Sequence, residues 1–418
     1  MSDRSAVVVG AGIIGTTTAL VLLQQGWSVT LVDAREPGLE TSYGNTGVLV
    51  DNPWMVINSR ALWGRLPRIL AGRDPAARVR PGFLVRHPLL FGRFLGLAAT
   101  DHAVKAAEAI LSLLRPSQAQ HRIWMREFDL MSIGRETGWL KLFRSQAVRQ
   151  AFALEAALIT DSVTAHLLLD GDDVRALEPG LRLATAGGLL LTGAISLSDP
   201  VSLTRGYAAR VRALGGRILR GRVSRLIPGD RAGWTVEIGQ GLSEEGRHLV
   251  VAAGPWSGEL LRPLGYRIPM FWERGYHLHL AAPDDGPAIG RAIHDLAGGY
   301  VMTPQDRGIR ITSGVEIAHR DAAPDRRMVD GAVQAARSLA GLGAVREAEP
   351  WLGSRPSLID GLPLIGAAPR HAGLWLNFGH HHIGMSLSAG SALLLAEMMR
   401  GGTAPICDPV PFLPSRLL

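Results

Sequence analysis

A continuous apolar run, Ala6-Val7-Val8-Val9, leads into Gly10-Ala11-Gly12-Ile13-Ile14-Gly15, then a stretch of helical pattern to Gln25 and a second apolar run over 27–32 that ends on Asp33. The order is strand, glycine turn, helix, strand, acid. Further on, a turn-rich loop, Glu40-Thr41-Ser42-Tyr43-Gly44-Asn45-Thr46-Gly47, opens a largely helical, proline-punctuated region that reaches about residue 150 and holds one strand pattern over 138–143. Residues 173–181 read as a polar turn region. Asp199-Pro200 caps a helix over 201–214. Alternation predicts strands over 217–227 and 234–238, and 249–254 is a buried strand ending on glycine that rejoins the first sheet. Several antiparallel strands follow, over 271–280, 299–303 and 308–315, separated by Pro, Asp and Gly turns. A helix over 327–340 closes this second region. The chain ends with a strand over 374–378 and a helix over 386–399, and it contains no internal repeat or low-complexity tract.

The first unit has the physical parts of a dinucleotide site. Gly10 permits the tight turn off the strand, Gly12 lets backbone approach a pyrophosphate, and Gly15 lets the helix pack closely on the sheet. The helix N-terminus, entered through Ile13 and Ile14, offers N–H groups and a partial positive charge to phosphates. Asp33, followed by Ala34 and Arg35 at the strand end, would accept hydrogen bonds from an adenosine ribose and repel a 2′-phosphate. FAD or NAD is favoured over NADP.

Composition narrows the chemistry. At 418 residues and 47% hydrophobic, the chain can bury a large core and is expected to form two interleaved domains. It has no apolar run of about eighteen residues and no small-residue cleavage site after its first strand, so the expectation is a cytoplasmic protein that does not span a membrane. The net charge of +7 is almost wholly arginine, since Lys105 and Lys141 are the only lysines. Schiff-base chemistry would have to use one of those two, and a P-loop is absent. The arginines are mostly scattered, which argues against a nucleic-acid groove. The exception is 60–97, where eight arginines and one acid, Asp74, interleave with bulky apolar residues. This composition suits either contact with the inner face of an anionic membrane or a helical insertion packed on the body with its arginines in water. Cys407 is the only cysteine, so disulfides, thiolate metal sites and paired-thiol redox chemistry are excluded, and redox work needs a bound cofactor. No metal is expected: the consecutive His380, His381 and His382 point in different directions from a turn.

The glycine motif with Asp33, the 40–47 loop, 250–254, Glu273-Arg274-Gly275-Tyr276, Gly353-Ser354-Arg355-Pro356 with Asp360-Gly361-Leu362-Pro363-Leu364-Ile365-Gly366, and Asn377-Phe378-Gly379-His380 with Gly384 together resemble the D-amino acid oxidase-like flavoproteins. The D-amino acid dehydrogenase branch is the nearest in flavour, with glycine oxidase beside it. The resemblance implies an α/β fold in which a Rossmann-like FAD-binding domain (1–60, 161–262 and 350–418) interleaves with an antiparallel-sheet α+β substrate domain (61–160 and 263–349) carrying a helical insertion.

It also implies FAD in place of NAD. Thr41, Ser42, Asn45, Thr46 and Gly47 would pass beside the isoalloxazine ring, Val223 would meet adenine through backbone, and Ala253 and Gly254 would belong to the same site. The turn Gly379, His380, His381, His382, Ile383, Gly384 could bring N–H groups to the flavin's pyrimidine oxygen, where negative charge collects on reduction. His380 is read as structural or flavin-contacting, and His381 and His382 as a departure from the family's small residues that lines the active-site entrance. Family members with covalent flavin use a cysteine near the ring, so Cys407, beyond the last helix, implies noncovalent FAD. Arg355 would pair with a substrate carboxylate through its planar fork. Tyr276 is placed over that carboxylate and His279 beside it. Strand alternation nevertheless puts His277 and His279 on one face and Tyr276 on the other, so both faces cannot meet the substrate.

The expected activity is removal of hydride from the Cα of a small amino acid by FAD, giving an imino acid and then a 2-oxo acid and ammonia, with electrons passing to quinone. A soluble secondary-amine, glycine or sarcosine oxidase making hydrogen peroxide, and a flavin-binding subunit of a larger complex, are the alternatives. The sequence leaves the oligomeric state open.

Overall fold

The computed structural model describes residues 3–52, 58–160, 165–229, 233–239 and 241–418. Its first sheet has six strands in the order Arg217–Arg220, Ser28–Asp33, Ser5–Val9, His248–Val251, Leu374–Phe378 and Leu364–Ala367. The first five run parallel, and Leu364–Ala367 is the antiparallel edge. Parallel strands are covered on both faces, which is why Ser5–Val9 and His248–Val251 are continuous apolar runs. Helix Ile13–Gln24 packs against helices Pro200–Ala213 and Gly384–Met399, and the latter packs on the long helix His102–Glu127. Enclosed in this way, Ile13–Gln24 is apolar nearly all round.

The second sheet has ten strands: Ala77–Val79, Val315–Ile317, Met270–Leu280, Gly308–Thr312, Tyr300–Gln305, Ala292–Asp295, Trp139–Phe143, Gly187–Leu191 and His166–Leu169 in order, with Trp351–Leu358 paired on the free edge of Met270–Leu280. One face is covered by helix Arg327–Ala340, whose Val329, Val333, Ala336 and Leu339 form a core with Tyr276, Leu278 and Leu280. The opposite face of Met270–Leu280 carries Phe271, Glu273, Gly275, His277 and His279. A separate three-stranded antiparallel sheet is built from Val223–Pro228, Trp234–Ile238 and Leu242–Gly246.

Sheet membership differs from the expected domain boundaries at two places. His166–Leu169 and Gly187–Leu191 fall inside 161–262, and Trp351–Leu358 falls inside 350–418, yet all three belong to the ten-stranded sheet. Their partners lie far away in sequence, and local periodicity does not encode them. Residues 173–181, read as a polar turn, contain the end of a helix, Gly171–Leu177, started by a capping box in which Asp170 and Asp173 satisfy each other's backbone N–H groups. The strand expected over 217–227 is split at Gly221, whose N–H turns back to Asp33 O at 2.7 Å.

In the 60–97 insertion, Pro81 and Pro88 stand at helix starts and divide the stretch into short helices, among them Pro81–Arg86 and Pro88–Ala98. Leu62, Ile69, Phe83 and Phe94 pack against Phe271, Ile317 and Ile359. Val85 and Leu89 project outward, 80% and 84% exposed. The insertion is thus packed on the body of the protein by one face and exposes apolar side chains on the other.

Candidate active site

A cavity of about 750 Å³ runs from the glycine turn, under the insertion, to the odd-numbered face of Met270–Leu280. At its first end, Gly10 holds φ at +108°, and a Cβ there would stand 2.4 Å from Ala252 O. A Cβ on Gly15 would meet Gly10 O at 1.8 Å, so Gly15 works from behind the cavity by letting helix and turn touch. Gly12, Ile13 and Ile14 line the cavity, and the helix start has no acidic residue in its first turn. Ser42 Oγ accepts the Ile13 N–H at 2.9 Å, tying the 40–47 loop to it.

Asp33 accepts the N–H of Ala11 at 2.6 Å and that of Arg35 at 2.9 Å. Burial pushes its pKa up, against the pull of these two backbone donors. Asp33, Ala34, Arg35, Val223, Ala253 and Gly254 all line this end. Thr41, Ser42, Asn45 and Thr46 line the middle, while Gly47 lies just outside, its N–H held by Asn45 Oδ1 at 2.8 Å and φ at +82°. The loop is held to the large sheet by Thr41 Oγ1 donating to Ser354 O at 2.9 Å and by Arg310, which donates to Tyr43 O and Asn45 O.

At the other end a second helix N-terminus, Ile383-Gly384, opens on the same cavity with no side-chain cap and no acid in its first turn. Two positive helix ends thus face one space, one suited to phosphates and one to electron-rich carbonyl oxygens. The turn before it, Gly379 to His382, also lines the cavity. His380 is anchored by Ser391 Oγ at 2.8 Å, and burial pulls its pKa down to about 3, which favours the neutral ring. Among the described residues no group of histidines and acids is arranged to hold a metal.

Arg355 lines the cavity from Trp351–Leu358. Its guanidinium lies over Gly275, and its Nη1 is buried without a hydrogen-bond partner among the described residues. Burial lowers its pKa, while nearby Glu273 opposes the shift. An unpaired buried guanidinium N–H is costly, and a carboxylate in the cavity would satisfy it.

Tyr276 and His279 are not brought to this wall. The hydroxyl of Tyr276 donates to Glu316 at 3.0 Å and accepts the Asp325 N–H at 2.9 Å on the helix-covered face. His279 is on the cavity's side of the strand but farther along, with Nδ1 on Glu347 at 2.6 Å and Nε2 accepting from Arg310 at 3.1 Å. His277 is shielded by Trp351, stacked at 4.9 Å, and by Tyr43. Helix Arg327–Ala340 takes the even face, and the aromatic cover over His277 ends the cavity before His279.

The residues that the sequence left without a role are Glu273 and Gly275 in the wall, Trp139 and His294 near its floor, and Leu62, Arg65, Ile69, Phe91 and Phe94 from the insertion. Glu273 had a signal of its own, an acid two positions from a glycine on the same face of a strand.

The chain matches the family described as FAD dependent oxidoreductase over residues 5–398. It is 33% identical to a D-amino acid dehydrogenase of Cereibacter sphaeroides, covering 94% of this chain and 91% of that protein. It is also 33% identical to D-amino acid dehydrogenase 2 of Pseudomonas aeruginosa, covering 99% of each. The fold is similar to that of glycine oxidase from Geobacillus kaustophilus, with TM-score 0.74 at 18% identity over 99% of this chain and 100% of the other. The site fits the group this family carries. The Gly12 cradle and Asp33 suit its ADP half, the Ile383-Gly384 helix end suits the flavin, and Cys407 is not among the lining residues. The chain is therefore a member of the FAD dependent oxidoreductase family, with FAD as its cofactor.

Proposed function

We propose that the substrate is a small amino acid, of the D series as in the named relatives, and that its Cα–N bond is oxidised. FAD, held by the Gly12 turn, Asp33 and the Ile383-Gly384 helix end, would supply the two-electron oxidising chemistry by taking hydride from Cα, and the imino acid so released would hydrolyse to a 2-oxo acid and ammonia. The observation that carries this reading is the unpaired, buried Nη1 of Arg355 in the cavity wall. Its planar fork takes the substrate carboxylate and fixes the direction of the Cα–H bond, a contribution of position instead of proton transfer. The apolar insertion residues exclude water from the same space.

Electrons leave for quinone at the inner face of a membrane. What supports this is the insertion's two-sidedness: Leu62, Ile69 and Phe94 line the cavity, while Val85, Leu89, Trp63 and Leu70 are exposed among arginines. Among the described residues no helix is long and apolar enough to cross a membrane, so the contact is peripheral.

The test is the visible spectrum of the purified protein before and after anaerobic addition of D- and L-amino acids, proline and hydroxyproline included. Bleaching by D-amino acids is the expected result. Bleaching by sarcosine or glycine alone, with peroxide formed in air, would replace this reading with that of a secondary-amine oxidase.

A further inference from the structure

Glu273 stands directly opposite Arg355 in the antiparallel pairing of Met270–Leu280 with Trp351–Leu358, so the two side chains share the cavity face. Glu273 is 1% exposed, and its Oε1, like Nη1 of Arg355, has no hydrogen-bond partner among the described residues. The two groups do not form an ion pair with each other. Two buried, unsatisfied atoms of opposite charge on one wall ask for a ligand that carries both signs.

Behind Glu273 are two imidazoles. His382 Nδ1 lies 3.3 Å from Oε2, and His381 Nδ1 lies 3.7 Å from Oε1. The tautomer of His381 is set from the far side, where the Leu358 N–H donates to its Nε2 at 3.3 Å, leaving the proton on Nδ1 toward Glu273. His381 holds φ at +51°, a left-handed conformation costly for a non-glycine residue, and its N–H is fixed to Pro356 O at 3.1 Å. Ser357 bridges His380 on the same turn. The histidine turn is thus fastened to the strand that bears Arg355, and the strained residue is one of the two that aim a ring at Glu273.

We propose that Glu273, backed by His381 and His382, receives the amino group of the substrate while Arg355 receives its carboxylate, and that the Glu273–His382 pair accepts the proton the ammonium must lose. The proposal rests on the reading of Arg355 as the carboxylate site. It restricts the substrate to α-amino acid zwitterions. An ammonium has no lone pair from which a C=N bond can form when hydride leaves Cα, so one N–H bond must break first. Its electron pair stays on nitrogen and its proton passes to His382, which donates through Nδ1 to Glu273 and so keeps Nε2 as acceptor.

The groups facing this pair are Arg355 from the opposed strand, His381 from the turn and His294 from strand Ala292–Asp295, whose fully buried ring is held neutral by burial, and the residue opposite Glu273 on its other edge is the apolar Ile317. Burial favours a neutral Glu273, but the two imidazoles outweigh it and hold its carboxyl well below the usual range. Burial also lowers the pKa of His382, with Glu273 opposing, which leaves a neutral ring ready to accept.

The test uses the FAD-loaded protein and two ligands of matched shape, 2-aminoisobutyrate, which has no Cα–H to lose, and isobutyrate, which has no amine. Binding is read from perturbation of the flavin spectrum. Glu273→Gln should weaken 2-aminoisobutyrate by roughly tenfold or more, the scale of a charge-assisted hydrogen bond, and leave isobutyrate unchanged or tighter. His382→Gln should leave isobutyrate binding in place and move the acid limb of anaerobic flavin reduction upward by about a unit or more, toward the pKa of the free amine. Equal weakening of both ligands by Glu273→Gln, no weakening of either, or an unmoved limb in His382→Gln overturns the proposal. A wild-type protein that binds neither ligand and is bleached by no amino acid defeats the Arg355 reading itself, a failure distinct from these.

Discussion

The guanidinium of Arg355 lies across the backbone of Gly275, so close that a Cβ on Gly275 would stand 2.5 Å from Nη2 and 2.6 Å from Nη1. Only hydrogen at that position lets the arginine lie flat on the neighbouring strand and present Nη1 to the cavity. Gly275→Ala should therefore act on Arg355 and spare the fold, because the obstructed atoms are the far end of a long side chain. The expected outcome is retained FAD and melting temperature, with KM for the amino acid raised about ten- to a hundredfold, as for loss of a charge-assisted contact. Steady-state kinetics beside the flavin absorbance ratio checks it.

Gly12 and Gly15 separate cofactor binding from packing. Gly12 has ordinary extended geometry, φ −66° and ψ 178°, and a Cβ would meet only Ser42 Oγ at 3.2 Å. Gly12→Ala should keep its stability yet lose FAD affinity by roughly tenfold or more, because the methyl group enters the space where the backbone must approach a pyrophosphate. In Gly15→Ala the Cβ would strike Gly10 O, so the helix must move off the turn, at a cost of about 1–3 kcal/mol in stability of the apoprotein. Denaturant unfolding without FAD, together with FAD titration, distinguishes the two.

Elements set by local pattern were legible in the sequence. Helix Arg327–Ala340 and strand Leu374–Phe378 fall where periodicity predicts them, and the Ser5–Asp33 unit needs only contacts between neighbours. Strand Trp351–Leu358 was not legible, since Gly353 and Pro356 are poor strand formers and its register comes from Met270–Leu280, some eighty residues away. Alternation correctly separated Tyr276 from His277 and His279. It could not say which face a later helix would cover. Arg355 was reached through the resemblance, whereas the convergence of Glu273 with His381 and His382 exists only when strand, turn and opposed strand are assembled.

Acid should weaken the fold through buried histidines. His121, on His102–Glu127, is fully buried between Tyr207 OH at 2.8 Å and Met385 O at 3.0 Å, and burial lowers its pKa to about 4. An unfolded histidine titrates near 6.5, so the native state binds fewer protons below that value. The stability this group contributes is fully present above pH ~6.5 and is lost as pH falls toward 4, by at most about 3 kcal/mol. Unfolding midpoints should drop between pH 7 and 5, and His121→Gln should make that slope shallower while lowering the value at pH 7.

The exposed apolar residues of the insertion bear on the electron acceptor. Val85, near the end of Pro81–Arg86, and Leu89, at the start of Pro88–Ala98, lie on two consecutive helices beside Arg86 and Arg93, while Phe83 and Phe94 on the same helices face inward to the core at the cavity wall. A surface with protruding apolar residues ringed by arginine suits an anionic bilayer, and a quinone dissolved there would have only this thin layer between it and the cavity. The wild-type protein is expected to cosediment with phosphatidylglycerol vesicles, less so as salt is raised. Val85→Glu with Leu89→Glu should abolish cosedimentation and slow quinone reduction on vesicles several-fold. Anaerobic bleaching of the flavin by amino acid should continue at the wild-type rate, because neither residue lines the cavity. If the doubly substituted protein still reduces membrane quinone at the wild-type rate, the insertion is a roof over the active site and nothing more.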